Sequence, residues 1–390
     1  MTNIWSKNKY VDILINVLLF LTGINFLHYG QLILPIICFI LFVDNKLKFK
    51  VNNPKVFIIL CLFGISFYAF SYQLGFYSVM GFTLPMAYYI GSNIKRYDEE
   101  SIKYLIYLFA ISMALHIALN MVYELNIRGL RKLFNSSTHY DFWTKDKMST
   151  TVTATNLMFL IGCSYYLLFN EKNKLIKYLS LSLFAIVMGY CLIVGRRTSV
   201  LAFILVFVFS FIYDQLHFNQ KDVIRKRLLY FVLFILLVVL FFAILFILKE
   251  KGIRTIFDNV YIFYKFSQSI FDENRFHLYK SFIELMPKYL WGGQKISTII
   301  GFQIHELWLD VYDYAGIVTY ILLLIYTYFY VKEIYKLYKS DIKTEYKGLF
   351  LSIFIIITIQ MFLEPVMTAA SLFLLICIIY GTVIAKMNDK

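Results

Sequence analysis

The sequence predicts an all-α polytopic membrane protein with about twelve transmembrane helices, and three observations support this. Hydrophobic residues make up 60% of the 390 residues, against roughly 45–50% in a soluble domain. They fall in long runs that approach the roughly 20 residues needed to cross a bilayer. The chain has 39 Phe and 32 Tyr but 5 Pro, which suits uninterrupted helices with aromatic residues at both membrane interfaces. Lipid is therefore the expected solvent for most of the chain.

The apolar runs give the predicted elements in chain order. The predicted spans are residues 12–27, 31–43, 56–72, 75–91, 102–123, 151–169, 175–194, 198–213, 228–248, 307–331, 346–363 and 366–385. The second span is short for a complete crossing. No soluble domain fits between these runs, so residues 1–390 are expected to form a single transmembrane domain.

The distribution of positive charge predicts the orientation. An N-terminus on the cytoplasmic side puts more than half of the 38 Lys and Arg residues on that side. The cytoplasmic clusters would be residues 46–55, 172–177, 221–227 and 332–347. This arrangement satisfies the positive-inside rule. We therefore expect a multi-pass protein with both termini in the cytoplasm.

Composition also argues against several classes of function. The net charge of +14 does not indicate a nucleic-acid partner, because a nucleic-acid binder gathers its basic residues on one soluble face. Here they are spread through loops between apolar runs. The five cysteines lie inside apolar runs without a CxxC pair, so no redox or metal role is assigned to them. We see no Gly-rich nucleotide site either, and no cofactor is expected.

Three outer-facing segments carry basic residues that the positive-inside rule does not favour there. They are the loop 124–150, the tight turn 195–197 and the long segment 249–304. An anionic ligand on the outer side would account for this positive charge. The long segment is also the only sizeable soluble part of the chain.

The tight turn holds two adjacent arginines, Arg196 and Arg197, between two apolar runs. Charges near membrane depth are costly to insert, and they tend to be functional. A guanidinium group matches phosphate oxygens with two parallel hydrogen bonds. The alternative is that both side chains reach out to lipid headgroups.

In the segment that follows Arg275, apolar residues recur at helical spacing, which predicts an amphipathic helix lying on the membrane surface. These residues are Phe276, Tyr279, Phe282, Ile283, Met286 and Leu290, with Pro287 and Gly292-Gly293 closing the stretch. Arg275 would lie in the first turn, where free backbone N–H groups already favour an anion. It could instead pair with Asp272 or with a lipid phosphate.

Acidic residues and a histidine surround the start of the tenth predicted span. His305 could take a proton from a hydroxyl group, although a lone interfacial histidine is often only hydrogen-bonded. Glu306, Asp310 and Asp313 share one helix face, so a divalent-metal site is conceivable. A solvated acidic face explains the spacing equally well, and no metal is expected. Glu364, in the last outer turn, is a candidate partner for one of the arginines.

In their order along the chain, these features resemble the bacterial O-antigen polymerase (Wzy-type) and O-antigen ligase family. The matching positions are Gly195-Arg196-Arg197-Thr198, Arg275, Pro287, Gly292-Gly293, His305 and Gly316. The resemblance covers residues 175–331, and beyond them only the hydropathy agrees. Glu306 stands where the family usually has Asn, which puts the hydrogen bond of that amide in doubt.

The resemblance implies a metal-independent membrane fold like that of the C-type glycosyltransferases. It further implies a polymerase in the bacterial cytoplasmic membrane, with its active site facing outward. The substrate would be an oligosaccharide linked to undecaprenyl diphosphate. Arg196, Arg197 and Arg275 would hold the diphosphate, and His305 would position or deprotonate the acceptor hydroxyl. Arg275 and His305 are the expected catalytic residues, and Glu306, Asp310 and Glu364 are supporting candidates.

Several alternatives remain open at the level of sequence. A ligase of the same family would transfer the glycan to another acceptor, such as a lipid-core sugar or a protein. A flippase for the same lipid-linked units should show paired halves and broken helices at the membrane midplane. A scaffold without chemistry would tolerate loss of Arg275 and His305. Besides membrane lipid, a flippase and a chain-length regulator of the same pathway are the expected partners.

Overall fold

A computed structural model of the chain describes residues 9–71, 76–94, 98–133, 138–193, 197–217, 228–229, 232, 236, 273–303, 306–363 and 370–388. Helices α1 to α7 are Lys9–Gly23, Ile33–Asp44, Pro54–Ser71, Phe76–Asn93, Glu99–Leu133, Thr150–Phe169 and Lys174–Ile193. Helices α8 to α13 are Arg197–His217, Glu273–Leu285, Lys295–Ile300, Leu307–Lys339, Thr344–Leu363 and Ala370–Asn388. Strands β1 (Thr138–Tyr140) and β2 (Lys147–Ser149) form an antiparallel β-hairpin.

Helices lie at the positions of the predicted spans wherever those positions are described. In the described part of the chain, six helices are long and apolar enough to cross a membrane. They are Pro54–Ser71, Glu99–Gly129, Lys174–Cys191, Thr198–His217, Leu307–Lys339 and Thr344–Leu363. The chain is therefore an all-α membrane protein. The ninth predicted span, residues 228–248, lies outside the described residues except for four positions.

The β-hairpin lies at one end of the helix bundle, beside the end of α1. There the indole N–H of Trp143 donates to the Ile24 carbonyl at 3.1 Å, and we term this end the β-hairpin end. At the opposite end, the connection between α2 and α3 is tied to the end of α4. The Asn45 amide donates to Asn93 Oδ1, and the Asn93 amide donates to the Lys50 carbonyl, both at 2.8 Å. Helices α1 to α4 thus run alternately towards the β-hairpin end and away from it.

Close helix packing and buried aromatic rings form the core. A Cβ atom at Gly91 of α4 would lie 2.1 Å from the Ile378 carbonyl oxygen of α13. Without side chains between them, these two backbones gain the van der Waals contact that drives helix association in lipid. Three buried tyrosines of α11 and α13, Tyr326, Tyr330 and Tyr380, pack with ring centroids 5.5–6.3 Å apart. These contacts join α4, α11 and α13 within the core.

The helix predicted after Arg275 is present as α9, and it ends at Leu285, before a 3₁₀ turn that contains Pro287. Its apolar face is partly covered by protein. Phe282 is 1% exposed and packs with Tyr312 of α11 at 6.4 Å between ring centroids. Ile283, on the neighbouring face, is 58% exposed. Contacts with α11 therefore hold this helix, in addition to any contact that its exposed face makes with a membrane.

Candidate functional site

The loop after α9 is docked on α11 by backbone contacts around two glycines. Gly292 and Gly316 both have φ of +74°, in the region that glycine adopts without strain. The Ile317 N–H donates to the Leu290 carbonyl at 2.9 Å. A Cβ atom would lie 2.6 Å from Gly316 N if added at Gly292, and 2.4 Å from the Leu290 oxygen if added at Gly316. The contact therefore requires glycine at both positions.

At Gly316, α11 reverses direction. Its backbone there (φ 74°, ψ −172°) is not helical, and it separates a short arm, residues 307–315, from a long arm, residues 317–339. The indole N–H of Trp308 donates to Thr327 Oγ1 at 3.0 Å. In a continuous helix, residues 19 positions apart would be separated by about 28 Å along the axis. The short arm must therefore fold back along the long arm.

The reversal places the start of the short arm beside α12. The rings of Trp308 and Phe362 are 4.7 Å apart. Glu306, the residue before the short arm, lies about 15 Å along that arm from the turn at Gly316, at 1.5 Å per residue. The sequence predicted one continuous helix over residues 307–331 that opens at the outer interface. The structure instead turns the start of this helix back along the bundle, because Gly316 permits a backbone that other residues avoid.

Two of the three acidic residues at the start of this helix cap helix ends. Glu306 is the N-cap of α11, where its Oε2 accepts from the Leu309 N–H at 3.2 Å. Asp313 Oδ1 accepts from the N–H groups of Ile296 and Ser297 at 3.0 and 3.3 Å, which caps the start of α10. Asp310 and Asp313 are 3% and 4% exposed. A solvated acidic face is therefore ruled out for these two residues.

Within the described ranges, no three His, Cys, Asp or Glu side chains form a group that could hold a metal ion. The carboxylate of Asp313 is used by backbone N–H groups, and that of Glu306 caps its own helix. Their i, i+7 spacing reflects two different capping interactions. The structure thus explains part of this acidic pattern without a metal.

The other predicted site residues fall at or beyond the limits of the described structure. Arg197 is the first residue of α8, and Arg275 is the third residue of α9. The side chains of both lie outside the described part of the chain, as do Arg196, His305 and Glu364 entirely. Their roles as phosphate ligands, base and ion-pair partner stay predictions.

Four polar side chains, spaced one turn apart on α5, fasten the β-hairpin to the bundle. They are His116, Asn120, Glu124 and Arg128. In the same order, their partners are Asp141 Oδ2 at 3.0 Å, the Phe142 N–H at 2.7 Å, the Tyr140 N–H at 3.0 Å and the Thr138 carbonyl at 3.3 Å. Residues 138–142 thus lie along a single face of the helix.

A buried ion pair reinforces this row. Arg128 Nη1 is 2.9 Å from Glu124 Oε1, and the Glu124 side chain is 0% exposed. The guanidinium group also lies 4.5 Å from the ring centroid of Tyr140. The Glu124 carboxylate meets both a cation and a backbone N–H group, as a buried charge requires.

Both carboxylate oxygens of Asp141 make hydrogen-bond contacts that anchor the β-hairpin. Besides the contact with His116, its Oδ1 accepts from the N–H groups of Trp143 and Thr144 at 2.8 and 3.0 Å. Burial opposes ionisation of Asp141, but hydrogen bonds from His116 and from these N–H groups outweigh it. They lower the pKa of Asp141 to about 2. Asp141 therefore carries its negative charge at neutral pH.

This network was not predicted from the sequence. The sequence does contain a signal of this network, which is the four-residue spacing of His116, Asn120, Glu124 and Arg128 within an otherwise apolar helix. Such spacing predicts one polar helix face. It does not reveal the partner segment, which lies 10 to 25 residues away from these side chains.

A cavity of about 420 Å³ opens at the opposite end of the bundle, away from these elements. Its lining includes Lys103 and Glu171, which form an ion pair at 3.1 Å. The Lys103 ammonium also lies 4.3 Å from the ring centroid of Tyr104. These charges bind each other, so we place the candidate site at the β-hairpin end.

The sequence matches no protein-family model and no curated protein sequence. The candidate site is therefore defined by the contacts above and by the motifs of the sequence.

Proposed function

We propose that this chain is a polysaccharide polymerase of the bacterial cytoplasmic membrane. It joins oligosaccharide repeat units linked to undecaprenyl diphosphate, and it releases the lipid diphosphate. In this proposal the β-hairpin end faces outward, both termini are cytoplasmic, and about twelve helices cross the bilayer. A flippase would supply the lipid-linked units, and a chain-length regulator would set their number.

The helix reversal at Gly316 is the observation that favours this function. It joins the Gly292-Gly293 turn behind α9 to the helix that follows His305, through the contact of Leu290 with Ile317. Two motifs that are distant from each other along the chain thus belong to one packed unit.

Broken helices occur within membranes where they are buried in protein or line a cavity. A flippase should have its broken helices at the membrane midplane, whereas Thr319, three residues after Gly316, contacts Ser66 close to the end of α3. A break near the β-hairpin end suits a site for a lipid-linked head group.

The proposed reaction is a displacement at the anomeric carbon. A hydroxyl oxygen of the acceptor sugar attacks this carbon, and the bond from the carbon to the diphosphate oxygen breaks. His305 takes the hydroxyl proton as the new glycosidic bond forms. Arg196, Arg197 and Arg275 bind the departing diphosphate and stabilise its charge, a type of assistance worth several kcal/mol. The donor is already activated, so no nucleotide is needed.

Replacement of the base tests the proposal. We expect His305→Ala to reduce polymer formation by about 10²–10⁴-fold at unchanged protein abundance. The measurement is a gel of lipid-linked and surface glycans, from a strain that lacks the chain and is complemented with each variant. The expected result is that single repeat units accumulate outside the membrane. His277→Ala, which changes an exposed histidine of α9, is the matched control and should support full polymerisation.

Other patterns on the gel would reject the proposal. Long chains that remain on the lipid carrier when the protein is missing would indicate a ligase. Repeat units trapped on the cytoplasmic side would indicate a transporter. Full polymerisation by His305→Ala would remove this residue from the mechanism.

A further inference from the structure

Several buried side chains in the described part of the bundle have polar atoms without a hydrogen-bond partner, and two of them lie close to the proposed active site. Gln360 of α12 and Ser199 of α8 are both 0% exposed. Neither the Oε1 nor the Nε2 of Gln360 is hydrogen-bonded, and neither is the Oγ of Ser199. Buried polar groups in proteins are nearly always paired, and an unpaired group among membrane helices is especially unfavourable. Gln360, whose two polar side-chain atoms are both unpaired, calls for an explanation together with the neighbouring Ser199.

The packing of α8 on α12 shows that Ser199 points towards α12. The two helices run antiparallel, with Ser210 Oγ 2.8 Å from Ser352 Oγ and Gly348 close to Tyr213. Ser199 precedes Ser210 by 11 residues, about three turns, and thus lies on the same face of α8. Because the helices are antiparallel, the same distance along α12 runs from Ser352 to its last residue, Leu363. Ser199 therefore lies level with the end of α12, about one turn from Gln360.

The packing of α6 on α12 gives the direction of Gln360. A Cβ atom at Gly162 of α6 would lie 3.5 Å from the Ile353 Cα. Gln360 follows Ile353 by seven residues, about two turns, and so faces α6 as well. On α6, the residue two turns from Gly162 towards the same end is Thr155, which is also fully buried. Gln360, Ser199 and Thr155 thus converge where α6, α8 and α12 meet.

This junction adjoins two motifs of the proposed active site. Ser199 is two residues after Arg197, the first residue of α8. Gln360 is two residues before Phe362, which packs on Trp308 at the start of the short arm. The polar groups therefore lie between the start of α8 and the segment that follows His305.

The chemistry of the junction favours an uncharged ligand with several hydroxyl groups. A carboxamide donates two hydrogen bonds and accepts at its oxygen, and a serine hydroxyl both donates and accepts. A phosphate group mostly accepts, and it is better matched by arginine. Each sugar hydroxyl donates and accepts, so a pyranose ring complements Gln360 and Ser199.

We propose that Gln360 and Ser199 form a subsite that binds a sugar ring of the lipid-linked glycan, next to the diphosphate. This inference rests on the proposed function and adds to it the residues that recognise the sugar. In the free protein the two side chains are left without partners. The glycan supplies those partners when it binds.

Gln360→Leu tests the subsite, since it removes the amide and keeps an apolar side chain of similar size. We expect the unliganded variant to unfold in detergent at the same temperature as the wild type or higher, because no hydrogen bond is lost. The KM for the lipid-linked oligosaccharide should rise about tenfold, the loss expected for one or two hydrogen bonds. Stabilisation by undecaprenyl diphosphate alone, which carries no sugar, should not change. Ser199→Ala, which removes a single oxygen atom, should shift the KM in the same direction.

Ser352→Ala is the matched control, because the Ser352 hydroxyl already contacts Ser210. This variant should unfold at a lower temperature with an unchanged KM. If Gln360→Leu behaves in the same way, Gln360 is a helix-packing residue and the subsite is rejected. If the wild type responds to the lipid-linked oligosaccharide and both Gln360→Leu and Ser199→Ala respond equally, the subsite is again rejected while the polymerase proposal stands. If the wild type neither binds nor polymerises this substrate, the proposed function fails and the subsite fails with it.

Discussion

Gly316→Ala is expected to abolish polymerisation and to destabilise the protein by roughly 2–6 kcal/mol, the sum of two effects of about 1–3 kcal/mol each. The first is backbone strain, because φ 74° and ψ −172° lie in a region that is nearly exclusive to glycine. The second is a steric clash, because the new Cβ would lie 2.4 Å from the Leu290 carbonyl oxygen. Neither Leu290 nor Gly316 can shift without loss of the hydrogen bond from Ile317. Thermal unfolding in detergent, together with the glycan gel, measures both consequences.

Gly129→Ala separates the two effects. Gly129 interrupts α5 with a similar backbone (φ 69°, ψ 167°), but a Cβ atom added there meets nothing within 4 Å. This control should show the strain alone, about 1–3 kcal/mol. Equal destabilisation by the two substitutions would mean that the loop contact at Gly316 does not contribute. The helix reversal would then have no support from the experiment.

Asp141→Ala is expected to lower the stability of the β-hairpin end by about 3–5 kcal/mol, because three donors lose their acceptor and each buried donor left unpaired costs about 1–3 kcal/mol. The substitution leaves His116 buried without its partner. It also frees the N–H groups of Trp143 and Thr144. We expect a lower unfolding temperature and faster proteolytic cleavage between β1 and β2. Asp146→Ala is the matched control, because Asp146 lies in the same β-hairpin and is exposed.

The pH dependence gives a second test of the same contact. The pKa of Asp141 lies at about 2 in the folded protein, below its ordinary value of 3.8. Stabilisation by the ionised carboxylate is therefore complete above about pH 4, and it is lost as the pH falls through 2. The wild type should lose about 2 kcal/mol over this range relative to Asp141→Ala. Parallel acid unfolding curves for the two proteins would mean that the ionised Asp141 carboxylate does not stabilise the fold.

Hydropathy located the long apolar helices that the structure describes, since the burial of apolar runs in lipid depends on each run rather than on its neighbours. Helices α3, α6 and α12, for example, begin and end within two residues of the runs 56–72, 151–169 and 346–363. The end of α9 before Pro287 was also predictable from local chemistry, because proline cannot donate the backbone hydrogen bond that continues a helix.

Contacts between distant residues required the tertiary structure. The apolar run predicted one helix over residues 307–331, because a single glycine does not interrupt such a run. The reversal at Gly316 depends on Leu290 and Trp291, which lie against it in the fold. Likewise, His116 showed no partner in the sequence, since Asp141 is 25 residues away.

The motifs and the geometry therefore contribute different parts of the candidate site. The residue types Arg196, Arg197, Arg275 and His305 indicate phosphate binding and proton transfer, because guanidinium and imidazole groups carry these abilities wherever they are exposed to a ligand. The convergence proposed for Gln360 and Ser199 depends on three packed helices, since Gln360 lies in an apolar run and Ser199 ends the polar run after Arg196. The order of amino acids is enough to predict which segments lie in the membrane and what chemistry their side chains offer. The neighbours of a side chain are decided by packing, which brings together residues that are far apart along the chain.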